Sequence, residues 1–284
     1  MASRGRTNVE RAPSSESRYT RVEFQRDFPD EDACLEWLWR HLYPDGASCP
    51  TCQKVTPHYR VKSRPSYSCQ FCGHHVHPTA GTIFHKSSSP LSLWFQAIYL
   101  MAATRCGISA KQLERELGVT YKTAWRMFNR IRTLLGEIDA PLTGIVEIDE
   151  TFLNPKRRHS DPPRYPGGNP KERTIIGAVE RKGRVAARHV GSASNIAAEY
   201  HAKRYVLPEA TVYTDESRIY RVLDQHGYRH DTVKHSAGVY VAGEVHTQTI
   251  DGFWSLFKRG LDGVYHSVSS KYLQAYVNEY AFRY

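Results

Sequence analysis

No stretch of this chain approaches the roughly 20 consecutive apolar residues that a bilayer-crossing helix needs, so a helical membrane protein is excluded. Met1 to Arg18 lacks the apolar segment of a secretory signal; polar and rich in Ser and Arg, it reads as a disordered arm. A cytoplasmic, reducing compartment is the expectation that follows. Acidic residues are the minority charge: 29 Asp and Glu stand against 39 Lys and Arg, a formal net charge of +10. That imbalance suits a polyanionic partner, of which nucleic acid is the commonest, although a soluble protein that happens to be basic gives the same count. Cysteine is scarce, six residues in 284, and in a reducing compartment these are read as thiols or metal ligands before disulfides. Internal repeats are absent. Apolar residues are not lacking: at 40 % they support a buried core and exclude wholesale disorder.

The chain divides into four expected blocks: a basic arm (1–27), a helix plus a cysteine-punctuated segment (28–86), a helical region (87–139) and an α/β domain (140–284). Pro29-Asp30-Glu31-Asp32 opens the first helix with acids in the turn that the helix dipole favours, and Ala33, Cys34, Leu35, Trp37, Leu38 and Leu42 are its apolar positions. Leu91, Trp94, Phe95, Ile98, Tyr99 and Ala102 recur at helical spacing in the third block. Ala140-Pro141 is the natural hinge before the fourth.

Cys49-Pro-Thr-Cys52 and Cys69-Gln-Phe-Cys72 form a C-x2-C … C-x2-C pair separated by Gln53 to Ser68. Each motif curls into a knuckle offering two sulfurs, and two knuckles close a tetrahedral structural zinc site. So short a segment cannot fold on its own core, and zinc binding would supply the folding energy. His74, His75 and His77 lie close by, but four thiolates already complete the shell. Cys34 and Cys106 have no partners at ligand spacing and read as ordinary buried cysteines.

Ala110 to Leu117 and Tyr121 to Arg132 read as two helices joined by Gly118-Val119-Thr120. Ser109 with Gln112 fits a capping box, Gly118 suits a left-handed C-terminal turn, and Thr120 caps the second helix. Leu113, Leu117, Val119, Ala124, Trp125, Phe128 and Ile131 are the expected packing between them. This is the pattern of a helix-turn-helix. Tyr121, Lys122, Thr123, Arg126, Asn129 and Arg130 would then divide between base edges and phosphates. A plain helical hairpin with a basic solvated face is the competing reading.

The α/β block opens with Ile145-Val-Glu-Ile-Asp-Glu150, an alternating strand ending in carboxylates. A hairpin (Arg173 to Val190), a helix (Ala193 to Val206), a strand ending in Asp215 and a helix carrying Asp251 follow. That order matches an RNase H-like domain. Asp149, Asp215 and Asp251 could together hold two Mg2+ or Mn2+ ions for phosphoryl transfer. Lys258 lies two helical turns beyond Asp251 on the same face. Glu147, Glu150, Glu216 and Glu244 compete for these places, although strand alternation points Glu150 and Glu216 away. His246 and Trp254 border the site. The basic, Pro- and Gly-rich insertion 154–173, with Lys156, Arg157 and Arg158, reads as a DNA-contacting loop or as a solvated one.

These residues resemble the zinc-ribbon-bearing DDE(K) class of bacterial insertion-sequence transposases. The likeness rests on Thr79-Ala-Gly-Thr-Ile-Phe84, Gly118 to Met127, Val146-Glu-Ile-Asp-Glu-Thr151, Thr214-Asp-Glu216, His246 to Arg259, Tyr265 to Ser269 and Asn278 to Tyr284. The resemblance implies metal-dependent cleavage of element ends to expose a 3′-OH that attacks target DNA. It also implies nucleoid association and a homodimer or larger assembly on double-stranded DNA. By position, Asp149 and Asp215 take the first two metal-ligand roles, Asp251 stands where the family usually carries Glu, and Lys258 is the trailing lysine. A domesticated zinc-ribbon and helix-turn-helix regulator without catalysis, and a nuclease that cuts without joining, are the rival readings.

Overall fold

The computed structural model of the protein describes residues 19–136, 140–153, 173–233 and 245–284, which fall into two compact units, one up to Tyr99 and one from Leu100 onward. Lys156, Arg157, Arg158 and Glu244 lie outside the described residues.

In the first unit, helix α1 (Arg21–Asp27) begins at Thr20. The Thr20 hydroxyl accepts from the Glu23 backbone N–H, and the Glu23 carboxylate accepts from the Thr20 N–H, a complete capping box. Residues 21–27, expected within the arm, are helical instead, held by this cap and by the stacking of Phe24 on Tyr99. Helix α2 (Glu31–Leu42) is capped by Asp30, whose carboxylate accepts from Ala33 N–H. It buries Cys34, Leu35 and Leu38, whereas Leu42 is exposed and Trp37 is part-exposed, its ring edge against Phe28 and Phe95. Two small sheets follow: β1 (Ser48–Cys49) with β2 (Lys54–Val55), and β3 (His58–Val61), β4 (Ser66–Cys69) and β5 (His75–Val76) in antiparallel order. Tyr67 ties them to α2, stacking on Trp39 and donating its hydroxyl to Glu36 at 2.7 Å. Helix α3 (Leu91–Ala103) comes next.

The second unit opens with α4 (Ala110–Leu117) and α5 (Tyr121–Arg132), joined by a turn in which Gly118 takes φ +63°, a left-handed conformation that glycine adopts without strain. Ser109 and Thr120 cap the two helices as expected, although the Gln112 side chain turns to Glu116, so only half of the capping box forms. Leu113, Leu117, Ala124, Phe128 and Ile131 are buried as read; Trp125 is exposed, and Met127 and Arg132 are buried instead.

A five-stranded sheet follows, built from β6 (Ile145–Leu153), β7 (Arg173–Glu180), β8 (Val185–Val190), β9 (Thr211–Asp215) and β10 (Arg229–Val233) in the order β10-β9-β6-β7-β8. Strands β6, β9 and β10 are parallel, and β7 runs against both β6 and β8. Alternation along the strands feeds two cores. Val146, Ile148, Ile176, Ala178 and Val212 pack with helix α6 (Asn195–Tyr205), a 3-10 turn (Arg218–Arg221) and helix α7 (Val222–Gln225). Ile175, Val179, Val185 and Ala187 pack with helices α8 (Gln248–Gly260) and α9 (Ser270–Arg283) on the other face.

Helices α4 and α5 belong to the same unit as this sheet, so the boundary expected at 140 is not a packing boundary. The reason lies on α9. Arg132 at the end of α5 is fully buried, bonded through Nε to Glu279 at 2.6 Å and sandwiched between the Phe128 and Tyr276 rings. Glu279 also accepts from the Tyr265 hydroxyl and from Arg283. Hydrophobic patterning cannot foresee an arginine used as core.

Candidate active site

The four cysteine sulfurs of the knuckles lie within 4.8 Å of one another, with Cys49–Cys72 at 3.4 Å and Cys52–Cys69 at 3.9 Å. A tetrahedral ion with Zn–S bonds of about 2.3 Å sets its sulfurs about 3.8 Å apart, so the donor set fits zinc. The Thr56 hydroxyl, 3.2 Å from the Cys69 sulfur, and the backbone amides of Cys72 and Phe71 favour the Cys69 thiolate and pull its pKa down to about 5. Cys34 is buried as read, but Cys106 is exposed.

The second gathering of donors is acidic. Strands β6 and β9 pair in parallel from Ile145–Thr211 to Glu147–Tyr213 and then part, although β6 continues to Leu153. Extending the same register sets Asp149 beside Asp215, just where the strands separate. In open α/β sheets such a crevice at the carboxyl ends of strands is where ligands bind. Ligand oxygens of Asp149, Glu150 and Asp215 all lie within 4.8 Å of one another. Two carboxylates on one octahedral Mg2+ stand at most about 4.2 Å apart, so small adjustments bring this set round a cation.

The chain holds one oxygen of each acid. The Trp254 indole N–H donates to Asp149 Oδ2 at 2.9 Å, the Ser217 N–H to Asp215 Oδ1 at 3.0 Å, and the Tyr220 hydroxyl to Glu150 Oε2. Burial, and then the charges of Glu150 and Asp215, push the Asp149 carboxyl up to about 7. Glu150 is also raised, chiefly by burial, against the lowering effect of Tyr220. Carboxylates so crowded that they resist ionising are a ready site for a divalent cation.

In place of the expected trio of Asp149, Asp215 and Asp251, the structure gathers Asp149, Glu150 and Asp215. Asp251 is exposed in the first turn of α8, and the α8 side chain bonded to Asp149 is Trp254, three residues on. Glu150 does take the opposite sheet face, as alternation demands, among Ile148 and Tyr220. Its longer side chain and the parting of the strands nevertheless bring its carboxyl to the other two. Glu216 is not in the group.

Glu147, another competing candidate, has a different task. Fully buried, it accepts from Thr249 and Ile250 backbone N–H and from the Thr249 hydroxyl, and it pairs with Arg181 at 2.7 Å. Thr247 at the N-cap position makes no side-chain cap bond, so a strand residue caps α8 across space. Sequence reading missed this because the capping partner lies about a hundred residues away and Thr247 is itself a residue type that caps well, so the sequence carried no signal for it.

Lys258 is exposed on α8, and His246 lies 3.2 Å from Glu147. Of the proposed DNA-reading side chains, Tyr121, Lys122 and Arg126 are exposed on α5. Thr123, Asn129 and Arg130 are half-buried, and the Asn129 amide donates to the Trp125 carbonyl.

The fold and these two donor sets define an α/β domain carrying a carboxylate cluster, in one chain with a four-cysteine ribbon. Residues 141–284 match the ISXO2-like transposase domain, and residues 29–75 match the transposase zinc-ribbon domain. The chain belongs to the ISXO2-like family of insertion-sequence transposases. It is 32 % identical over 281 residues to an uncharacterized protein in transposable element ISH50 of Halobacterium salinarum, covering 91 % of this chain and 92 % of that one. Among solved structures, a chain of the simian T-cell lymphotropic virus intasome with PP2A regulatory subunit B56 gamma is similar at 12 % identity and TM-score 0.32, over 64 % of this chain and 63 % of that one. The Mos1 transposase paired-end complex with left transposon end is similar at 15 % identity and TM-score 0.27, over 61 % and 66 %. The chain thus spans just under two thirds of each of these solved chains, and superpositions this loose carry no argument. The ribbon and domain matches favour a transposase over a domesticated DNA-binding regulator.

Proposed function

We propose that this transposase cleaves and joins DNA at the carboxylate crevice where β6 and β9 part. The observation that carries the reading is the convergence of Asp149, Glu150 and Asp215 at that point. The strand order, with β7 antiparallel between β6 and β8 and with β9 and β10 added in parallel, is that of an RNase H-like domain. Asp149 and Asp215 are the metal ligands in this reading. Divalent cations bound there would activate the attacking oxygen and stabilise the leaving one.

The rest is positioning by the chain. Trp254, Ser217 and Tyr220 each fix one oxygen of an acid and leave the other for the cation. Glu147 fixes the start of α8, and with it Asp251 and Lys258. The proximity of its carboxyl to the other two supports Glu150 as the third acid, whereas the family resemblance implies Asp251. Lys258 is proposed to meet a DNA phosphate. Zinc held by Cys49, Cys52, Cys69 and Cys72 shapes the ribbon. Helices α4 and α5 act as a helix-turn-helix on element ends, with Tyr121, Lys122, Thr123, Arg126, Asn129 and Arg130 toward DNA. Lys156, Arg157 and Arg158 add phosphate contacts, and paired ends call for at least a dimer.

The test is strand cleavage and joining on the element's own terminal sequences with Mg2+, using wild type and the D149N, D215N, E150Q and D251N variants. Wild type should cut and join, and D149N and D215N should bind DNA without cutting. Whichever of E150Q and D251N is inactive names the third ligand. Binding without cleavage by wild type would make the protein a regulator, and cleavage without joining a nuclease.

A further inference from the structure

We propose that Trp254 is a positioning residue for Asp149 and that Gly177 is the seat that lets it act. The inference deepens the metal-site reading above and rests on it for the role of Asp149 as a ligand.

The indole is almost fully buried, and its Nε1–H donates to Asp149 Oδ2 at 2.9 Å. An indole N–H is a donor only; it can hold a carboxylate oxygen but can neither ligate a cation nor exchange a proton usefully. The ring reaches Asp149 because of what lies across the ladder. Gly177 of β7 is the register partner of Asp149. Ile175 and Val179, two residues to either side on the same face, send their side chains into the core that contains α8. Gly177 is the missing side chain in that row. A Cβ there would stand 2.8 Å from Cζ2 and 2.8 Å from Cη2 of Trp254, closer than packed carbons come. The indole therefore fills the gap that the glycine leaves.

The helix carrying the indole is pinned by the same strand. Glu147, two residues before Asp149 and on the same face, caps α8 through Thr249 and Ile250 N–H. Strand β6 thus grips α8 at two points, one of which is the ligand itself. With Oδ2 held, Asp149 loses the freedom to turn both oxygens and presents Oδ1 in one orientation. Hydrogen-bond partners that orient a metal ligand are commonly worth about 10–100-fold in metal affinity.

The experiment uses the full-length, zinc-loaded protein without DNA, as wild type, W254F, G177A, D149N and the G177A/W254F double variant. Two quantities are read: the Mg2+ dissociation constant by calorimetry, and the Trp254 indole N–H resonance in protein labelled with 15N-tryptophan, assigned by its loss in W254F. The indole resonance should move in D149N and on Mg2+ addition to wild type. W254F and G177A should each weaken Mg2+ binding by about 10–100-fold while the far-ultraviolet spectrum is retained. In the double variant G177A should add little, because a benzyl ring has no atoms where Cζ2 and Cη2 stood. Unchanged Mg2+ affinity in a folded W254F overturns the proposal, as does full additivity in the double variant. If wild type binds no Mg2+, the metal reading fails instead, and the hydrogen bond is judged on D149N alone: an unmoved indole resonance there refutes it. Should G177A fail to fold, W254F and D149N decide.

Discussion

The ribbon and the acid cluster each gather donors that repel one another when ionised, and they do so by opposite routes. In the ribbon, Cys49 and Cys69 lie on strands of two and four residues, and Cys52 and Cys72 lie in the turns that follow them. In the crevice, Asp149 lies where β6 parts from β9 and Asp215 ends β9, on strands that stand on two full hydrophobic layers. In the proposed reading, the first site draws its folding energy from its ion. The second is held by its fold in a state that its own charges oppose, so it should outlast its ion.

The most severe way to break that comparison is to remove zinc. Binding at a structural tetrathiolate is worth about 10–16 kcal/mol and is folding free energy for the segment. Chelation, or Cys49→Ser, should therefore abolish hydrogen-exchange protection across residues 48–76. The amides of β6, β7 and β9 should stay protected. Equal loss in both regions would show that the sheet depends on the ribbon.

Next in size is the loss of an acid. Asp149→Asn or Asp215→Asn removes ligand charge worth several kcal/mol in the barrier, about a thousandfold or more in cleavage rate. Thermal stability should hold or rise, because each substitution relieves repulsion within the cluster. Destabilisation together with lost activity would make the acids structural.

The same contrast explains what the sequence made legible. A C-x2-C pair is local: the spacing alone places the sulfurs, and all four meet as read. The strand carrying Asp149, the hairpin after it and the strand ending at Asp215 were legible for the same reason, since period-two alternation and turn residues sit within a few positions of each other. What remained hidden depends on partners far along the chain. Glu150 joins the acids because two strands part, Glu147 caps a helix it precedes by some hundred residues, and Arg132 serves as core because Glu279, Phe128 and Tyr276 enclose it. No window of the sequence contains those facts.

Arg132 offers a third, smaller test, directed at the join between the α4–α5 pair and the sheet unit. Removing one partner of a buried ion pair leaves the other charge uncompensated, at about 3–5 kcal/mol. Arg132→Ala should lower stability by that order in urea melts, with Glu279 still paired to Arg283 as partial relief. Arg132→Met, with Glu279→Gln, should restore most of it, since the site is walled by aromatic rings. Failure of the double substitution would mean that the charge pair itself, beyond its packing, holds α5 on α9.

The smallest expected effect concerns pH. The Asp149 carboxyl titrates near 7 in the folded protein and near 3.9 when unfolded, so between those values the native state carries a proton that the unfolded state does not. Stability without divalent metal must then fall as pH rises from about 4 through 7, and Glu150, shifted the same way, adds to the slope. His189, whose pKa burial lowers, works in the opposite sense, so the informative quantity is the difference between wild type and D149N. Because water and side chains relax around the crevice, that difference should amount to about 1–2 kcal/mol between pH 5 and pH 8. Mg2+ should cancel it, since a bound cation repays ionisation of the same carboxylates. Any zinc linkage of the ribbon has the opposite sign, since thiols protonated in the unfolded chain would be thiolates on the ion, and it cancels in the difference between wild type and D149N. A D149N curve parallel to wild type at every pH, with and without Mg2+, would mean that neither burial nor the neighbouring acids perturb Asp149, and the contrast between a site made by its ion and a site made by its fold would collapse.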